Sequence, residues 1–330
     1  MPEVSVIICA YNAASTLPRC LDSIVKQTFG DFEIILVDDC STDETLAIAN
    51  RYAAQDCRIR IFHNEKNRGI SYSRQRAMDN ATGRYTIHAD ADDHIDPAML
   101  QSLHEAAIKT GADVVICDYF EDRQRETSYI TQRPTSTEPR QIIIDLLTGR
   151  LHGSCCNKLI ARHLYTDNHI TFPQGVNCCE DLFVCLGIFK SRPKVYYLPQ
   201  AFYHYIRNNS SITTSVTNSK TLAQDLKLYD IVTKLFADSD TMLQEYARKG
   251  IAKIVVLRSF HSRLFTSSQF RHTYKHFAHD VADCRFSHRP VNMFFYMACT
   301  GSYHTALLLN DIYVWMLKIK HKLLKCIKSQ

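Results

Sequence analysis

The chain opens with an almost unbroken apolar run, Val4-Ser5-Val6-Ile7-Ile8-Cys9, rich in β-branched residues. Such a run predicts a strand buried on both faces, as in a parallel sheet. Ala10-Tyr11-Asn12-Ala13-Ala14 follows as a turn. The period then becomes helical: Leu17, Leu21, Ile24 and Val25 share one face, with Ser15 at the cap and Pro18 in the first turn. Phe32 to Val37 predicts a second buried strand, ending in Asp38-Asp39-Cys40-Ser41. Ser41-Thr42-Asp43-Glu44 has the form of a capping box and predicts a helix from Thr42 to Ala54. Arg58 to Phe62 alternates as a third strand, Asn64 to Gly69 is a polar loop, and a helix spans Ile70 to Asn80. A fourth strand beginning at Tyr85 runs into Asp90-Ala91-Asp92-Asp93. Asp96 and Pro97 then suit the cap and first position of another helix, reaching Thr110, and Asp113 to Asp118 predicts one more strand.

This alternation is the α/β pattern, here a Rossmann-like, mostly parallel sheet flanked by helices. Ligands bind such sheets at the C-terminal ends of the strands. Three of those ends carry polar turns, Tyr11-Asn12, Asp38-Asp39 and Asp90 to Asp93, and the topology predicts that they share one rim. Carboxylates crowded like the last three repel one another, and a divalent cation carrying an anionic ligand relieves the repulsion. No GxGxxG or GxxxxGK[ST] follows the first strand, so dinucleotide and P-loop solutions lack support.

Farther on, residues 121–139 are charged and polar and predict an exposed excursion. Pro139 to Gly149 predicts a helix with Ile142, Ile143, Leu146 and Leu147 inward. Glu180-Asp181 opens a helix reaching Lys190, where a carboxylate is stabilised by the helix N-terminus. From Ser219 onward the pattern is helical: Leu222, Leu226, Tyr229, Ile231 and Leu235 fit one helix, and Ile251, Ile254, Val255, Arg258 and Phe260 another. Near the end Ile312, Trp315, Ile319, Leu323 and Ile327 share a face, with Lys318, Lys322 and Lys325 across it.

Composition narrows the class. With 330 residues, 45% hydrophobic and 22% charged, the chain can bury a sizeable core. No uninterrupted apolar run approaches the ~20 residues needed to span a bilayer, and no basic leader precedes Val4. The expectation is a cytoplasmic protein. Thirteen cysteines without a CxxC pair fit buried reduced thiols. The doublets Cys155-Cys156 and Cys178-Cys179 leave a four-thiolate zinc site as an alternative. The net charge of +5 is uneven: from Ser215 to the end 17 Lys/Arg face 8 Asp/Glu, a net of +9. A basic amphipathic helix bearing a Trp suits the inner face of an anionic membrane, peripherally; a homodimer contact is the alternative. No nucleic-acid module accompanies the basic stretch, so nucleic acid is not an expected partner.

The ordered set Val4 to Asn12, Val37 to Asp43, Asn67-Arg68-Gly69-Ile70-Ser71 with Arg74, and Asp90 to Asp93 resembles glycosyltransferase family 2. The likeness continues through Asn157-Lys158-Leu159, Phe172 to Gly175, Glu180-Asp181-Leu182, Tyr203-His204-Tyr205 and Ser210 to Thr213, and so covers roughly residues 2–214. It implies a GT-A fold with a donor half at 1–118, an acceptor half at 119–214 and a basic helical region at 215–330. It also implies an inverting enzyme moving a sugar, a hexose or N-acetylhexosamine, from a UDP-sugar to a glycan or lipid-linked glycan acceptor, with Mn²⁺ or Mg²⁺. Surface polysaccharide assembly fits that chemistry.

By that resemblance Asp181 is the general base and Glu180 supports it. Ala10, Tyr11, Asn12, Asp39, Arg68, Arg74, Asp90, Ala91 and Asp92 hold the donor, Asp39 at uracil N3 and Arg74 at the diphosphate, where an arginine fork suits phosphate. Asp92, Asp93 and His204 are the expected metal set, although His204 equally suits a buried structural role. Asp90 is either a ligand or a brace at the strand end. Two other classes stay open at this point. A nucleotidyltransferase would want a Gly-rich basic loop where Ala10-Tyr11-Asn12-Ala13 stands. An inactive glycan-binding module would be expected to lose the acidic motifs.

Overall fold

The computed structural model describes residues 1–124, 126–207, 219–283 and 289–328. It divides into two compact units, Met1–Ser215 and Val216–Gln330.

The first unit is α/β. Its strands are β1 (Val4–Ala10), β2 (Phe32–Asp38), β3 (Ile59–His63), β4 (Tyr85–Asp90), β5 (His94–Ile95), β6 (Val114–Arg123), β7 (Glu126–Ile130), β8 (Lys158–Ala161) and β9 (Val195–Ile206). They form one sheet in the order β3-β2-β1-β4-β8-β6-β9-β5, with β7 added to β6. The first four strands are mutually parallel, whereas β5, β7 and β8 each run antiparallel to a neighbour. The helices are α1 (Leu17–Val25), α2 (Thr45–Ala53), α3 (Ile70–Asn80), α4 (Met99–Thr110), α5 (Pro139–Leu147), α6 (His163–Asp167) and α7 (Glu180–Lys190). β2 is buried along its whole length, its apolar core of Ile34 to Val37 flanked by buried Glu33 and Asp38. The register sets Ala10 opposite Asp38 and Cys9 opposite Asp90. The polar ends of β1, β2 and β4 therefore do share one rim.

Several boundaries differ from the sequence reading, each for a local reason. α1 begins after Thr16, not Ser15, and the Thr16 hydroxyl donates to the Ala13 carbonyl. No capping box forms at Ser41. The Asp43 carboxylate instead accepts from Thr45 N at 3.0 Å and Ala14 N at 3.1 Å, and α2 starts three residues later than expected. Asp96 does not cap α4, which starts at Met99; its carboxylate lies 3.4 Å from His204 Nε2. The expected excursion at 121–139 begins as a hairpin, because Glu121 pairs with Ser128 across β6 and β7. β9 supplies a twelve-residue strand where the sequence suggested only a closing motif.

The second unit is helical: α8 (Ser219–Leu235), α9 (Thr241–Ser262), α10 (Ser267–Tyr274), α11 (Ala278–Ala282), α12 (Arg289–Thr300) and α13 (Tyr303–Lys328). Its core is aromatic. Phe260, Phe270, Tyr274, Phe295 and Tyr303 are fully buried, and Phe270 stacks on Tyr303 at 4.4 Å. Each buried phenol needs a polar partner. Tyr303 donates to the Phe260 carbonyl at 3.0 Å and Tyr274 to the Ser259 hydroxyl at 2.5 Å. The inner face of α8 is Asp225, Leu228, Val232 and Phe236, one position round from the face read from sequence; Leu226 and Tyr229 only border the core. Along α13, Tyr303, Ala306, Leu307 and Asn310 are buried, but Ile312, Trp315 and Ile319 are exposed. The side chains of Leu222, Lys318, Lys322, Leu323, Lys325 and Ile327, and the segment Ser210 to Thr213, lie outside the described residues. Among the described residues no helix is long and apolar enough to cross a membrane.

Candidate active site

The centre of the first unit is Arg74. Gly69 starts α3 at φ 86°, and the helix carries Arg74 under the end of β4. Its side chain is only 7% exposed, yet it meets three carboxylates. Nη2 bonds Asp90 Oδ1 at 2.8 Å, and Nη1 bonds Glu180 Oε1 at 2.6 Å and also Asp181. Burial works against the guanidinium charge, but Asp181, Asp90 and Glu180 outweigh it and hold Arg74 firmly protonated. Arg74 was expected at the donor diphosphate. In this structure its fork is spent on the carboxylate pair of α7 and on Asp90 at the end of β4.

Glu180 and Asp181 open α7, and the helix is preceded by Cys179 at φ 61°. Asp181 Oδ2 accepts from Cys155 N at 3.0 Å, so both of its oxygens are bonded. Cys155 sits in a loop fastened by Lys158, whose buried ammonium donates to the His152 and Ser154 carbonyls at 2.8 and 2.7 Å and to Asn157 Oδ1 at 2.9 Å. Lys158 is thus a loop fastener. Burial raises the Glu180 carboxyl well above its usual range; Arg74 pulls it down, and Asp181 adds to the rise. Glu180 is thus biased toward the protonated form, while Asp181 lies against the same guanidinium.

The acidic cluster divides in the same way. Asp90 is 37% exposed at the strand end and also accepts a weak contact from Cys156 Sγ at 3.7 Å. Asp93 is buried: Oδ2 accepts from Tyr203 Oη at 2.6 Å and Oδ1 from Ile206 N at 2.7 Å. Tyr203 Oη in turn accepts from Asp90 N at 3.1 Å. Burial, then the charges of Asp90 and Asp92, push the Asp93 carboxyl up to about 8. Asp93 therefore pins β9 to β4. Asp92 is partly exposed, and Arg19 donates to its carbonyl. His204 points to Asp122, at 2.9 Å from Nδ1, and stacks on His94 at 4.3 Å. The expected metal set of Asp92, Asp93 and His204 is thus not gathered. Among the described residues the one group of three potential ligands is His94, Asp122 and His204, and it includes no cysteine of either doublet. All eleven cysteines for which a state is described are free.

At the end of β2, Asp38 is fully buried and binds His63 Nδ1 at 2.8 Å and Ser41 N at 3.2 Å, which braces its loop. Asp39 accepts from Gly69 N at 2.8 Å, Arg68 N at 3.0 Å and Asn64 Nδ2 at 2.7 Å. Asn12 Oδ1 accepts from Thr42 N at 2.8 Å. Tyr11 is 50% exposed beside buried Ala10, and Arg68 lays its guanidinium over Tyr72 at 3.9 Å. Ala91 is buried. Sequence reasoning missed Tyr203 as the strut between Asp90 and Asp93, and the Cys155 amide on Asp181. Neither carries a local signal, because each partner lies on a distant element.

An acidic rim over parallel strands, faced by a carboxylate pair at a helix start, is the site of a GT-A glycosyltransferase. Residues 5–167 match the family described as Glycosyl transferase family 2. The chain is 31% identical over 265 residues to the putative glycosyltransferase EpsH of Bacillus subtilis, covering 78% of this chain and 75% of that protein. It is 32% identical over 228 residues to the cholesterol galactosyltransferase of Borreliella burgdorferi, covering 65% and 63% of the two chains. Residues 1–349 of Staphylococcus aureus TarS, solved in complex with UDP-GlcNAc, share the fold with a TM-score of 0.69 at 19% identity, over 95% of this chain and 92% of that one. The chain belongs to glycosyltransferase family 2 and is a glycosyltransferase.

Proposed function

We propose that this glycosyltransferase moves a sugar from a UDP-sugar to a glycan or lipid-linked glycan hydroxyl, with inversion, during polysaccharide assembly. One observation carries the proposal: Arg74 ties the acidic rim at Asp90 to the Glu180–Asp181 pair within a single buried network. The leaving-group side and the base side of a direct displacement thereby stand next to each other. In this reading Asp181 takes the acceptor proton, and the Arg74 guanidinium bonded to its Oδ1 holds it in place. Glu180 and the Cys155 amide fix its direction. Tyr11, Asn12 and Asp39 line the nucleotide side.

The donor set fits a hard cation. Asp90 and Asp92 supply carboxylate oxygens, and the upward push their charges exert on Asp93 marks negative charge that a cation would relieve. When bound, Mn²⁺ or Mg²⁺ supplies charge neutralisation for the leaving diphosphate. We assign that role to Asp92 and Asp90 and make Asp93 the brace beneath them. The uridine donor is supported by the UDP-GlcNAc complex of TarS, and the polysaccharide setting by a 27% identical relative named for succinoglycan biosynthesis, Rhizobium meliloti ExoO. The exposed stretch of α13 around Trp315, itself 62% exposed, supports peripheral contact with an anionic bilayer. Loss of co-sedimentation with anionic vesicles in Trp315→Ser tests that contact.

The test of the main proposal is a panel of nucleotide sugars with Mn²⁺ and acceptor glycans, read for donor hydrolysis and transfer. Turnover of a UDP-sugar is expected, and no binding or turnover of any UDP-sugar refutes it. Asp181→Asn should remove transfer yet leave UDP affinity nearly intact; equal loss of both refutes the base assignment.

A further inference from the structure

We infer a second metal site, separate from the acidic rim, formed by His94, Asp122 and His204, which takes a transition-metal dication of the zinc class. Three neighbouring strands build it. His94 on β5 is the direct cross-strand partner of His204 on β9, and His204 is the partner of Phe120 on β6. Side chains alternate along a strand with period two, so Asp122, two residues after Phe120, stands on the same face. One ligand atom from each of the three lies within 4.8 Å of the others.

The polar atoms here are left in a condition that a cation would resolve. Among the described residues, neither buried His94 Nδ1 nor buried Asp122 Oδ1 has a hydrogen-bond partner. Buried polar atoms of native proteins are ordinarily bonded. The His94 and His204 rings stack at 4.3 Å and 14°, so the two imidazoles stand side by side. Neutral imidazole is the form that ligates metal. The second shell is also present. His204 holds Asp122 Oδ2 at 2.9 Å through Nδ1, while its Nε2 faces Asp96 Oδ1 at 3.4 Å. A ligating histidine characteristically gives its other nitrogen to a carboxylate, which sets the tautomer. Asp96, two residues after His94 and just past the end of β5, fills that place. Phe120 covers the far face of His204 at 4.7 Å. Two imidazoles and a carboxylate favour zinc, cobalt or nickel over the magnesium class. The carboxylates of Asp122 and Asp96 balance the dication's charge. Bound there, the ion would lock β5 to β9 and β6. The inference stands on this geometry alone and does not depend on the donor or acceptor assigned above.

The experiment uses the full chain stripped with chelator and titrated with Co²⁺, read by visible absorption and by metal per chain after desalting. Wild type should take up one equivalent with the d–d bands of a nitrogen–oxygen shell. His94→Gln and Asp122→Asn should each abolish that equivalent, and Asp96→Asn should weaken it by roughly 10–100-fold. Asp92→Asn should leave it in place, which separates it from the metal of the acidic rim. Uptake unchanged in both His94→Gln and Asp122→Asn overturns the site, as does uptake lost only in Asp92→Asn. Thiolate-to-cobalt charge-transfer bands in place of a nitrogen–oxygen spectrum also overturn it. Far-ultraviolet circular dichroism of each stripped variant shows whether it is folded before titration. Should one of the two ligand variants fail to fold, the other carries the test.

Discussion

Replacing Arg74 with Met tests whether one guanidinium holds the site together. Methionine keeps the apolar stem and removes the guanidinium, so the loss of the cation is the main term. Three carboxylates, Asp90, Glu180 and Asp181, lose their shared cation. Removing one partner of a buried ion pair costs about 3–5 kcal/mol, because the other charge is left uncompensated. Two charges 4 Å apart repel by about 4 kcal/mol at an effective dielectric constant of about 20, which points to the same scale. The carboxyls have an escape, which is to bind protons. Burial already biases the Glu180 carboxyl toward the protonated form, and without Arg74 that bias is no longer opposed, so the folded state holds protons that the unfolded state has released. The destabilisation must therefore grow as pH rises above the unfolded carboxyl range and shrink as pH falls toward it. Urea unfolding of wild type and Arg74→Met at pH 5.5 and pH 8 measures this. A loss of about 3–5 kcal/mol at pH 8, clearly smaller at pH 5.5, is expected. A loss under about 1 kcal/mol at both, or a larger loss at pH 5.5, refutes the reasoning. Arg74→Lys keeps the charge but not the fork, so it should recover part of the stability.

Three other outcomes follow from the same geometry. Asp93 titrates near 8 when folded against a reference of 3.8, so it contributes stability at low pH that is lost as pH rises across that window. Asp93→Asn can still accept from Ile206 N, and it should flatten the fall in Tm between pH 5 and pH 8; an unchanged slope would sink the assignment. Tyr203→Phe strips the donor from Asp93 and the acceptor from Asp90 N, at a cost of about 1–3 kcal/mol by denaturant unfolding. Gly69→Ala meets a positive φ and drives a new Cβ into the Asn177 side chain, at the residue whose amide bonds Asp39. It should weaken both stability and UDP binding, read by thermal shift with and without UDP, and an unaltered UDP response would count against Asp39 as a nucleotide contact.

Much of the fold was legible because its signals are local. The largely apolar runs at Val4–Cys9 and Phe32–Val37, broken only by Ser5 and Glu33, fit strands buried inside a parallel sheet. Gly69 and the helical period after it placed α3, and the strand running into Asp90 placed the acidic rim. Helix starts were less legible, since Ser15, Ser41 and Asp96 have the chemistry of caps but found other partners or none. The hairpin of β6 and β7 was missed because its polar composition hid a period of two.

What the sequence by itself determined is which residues occupy the strand ends, because side-chain period and hydrophobic burial are properties of neighbours along the chain. What only the tertiary structure decided is how those residues divide the work. Arg74 meets carboxylates 106 and 107 positions away, and Tyr203 reaches Asp93 across 110. Burial is a property of the assembled sheet, and burial separates Asp93 from Asp90 although three positions part them in the chain. Three strands that pair only in the folded sheet gather His94, Asp122 and His204 onto one face, a proximity absent from any stretch of sequence.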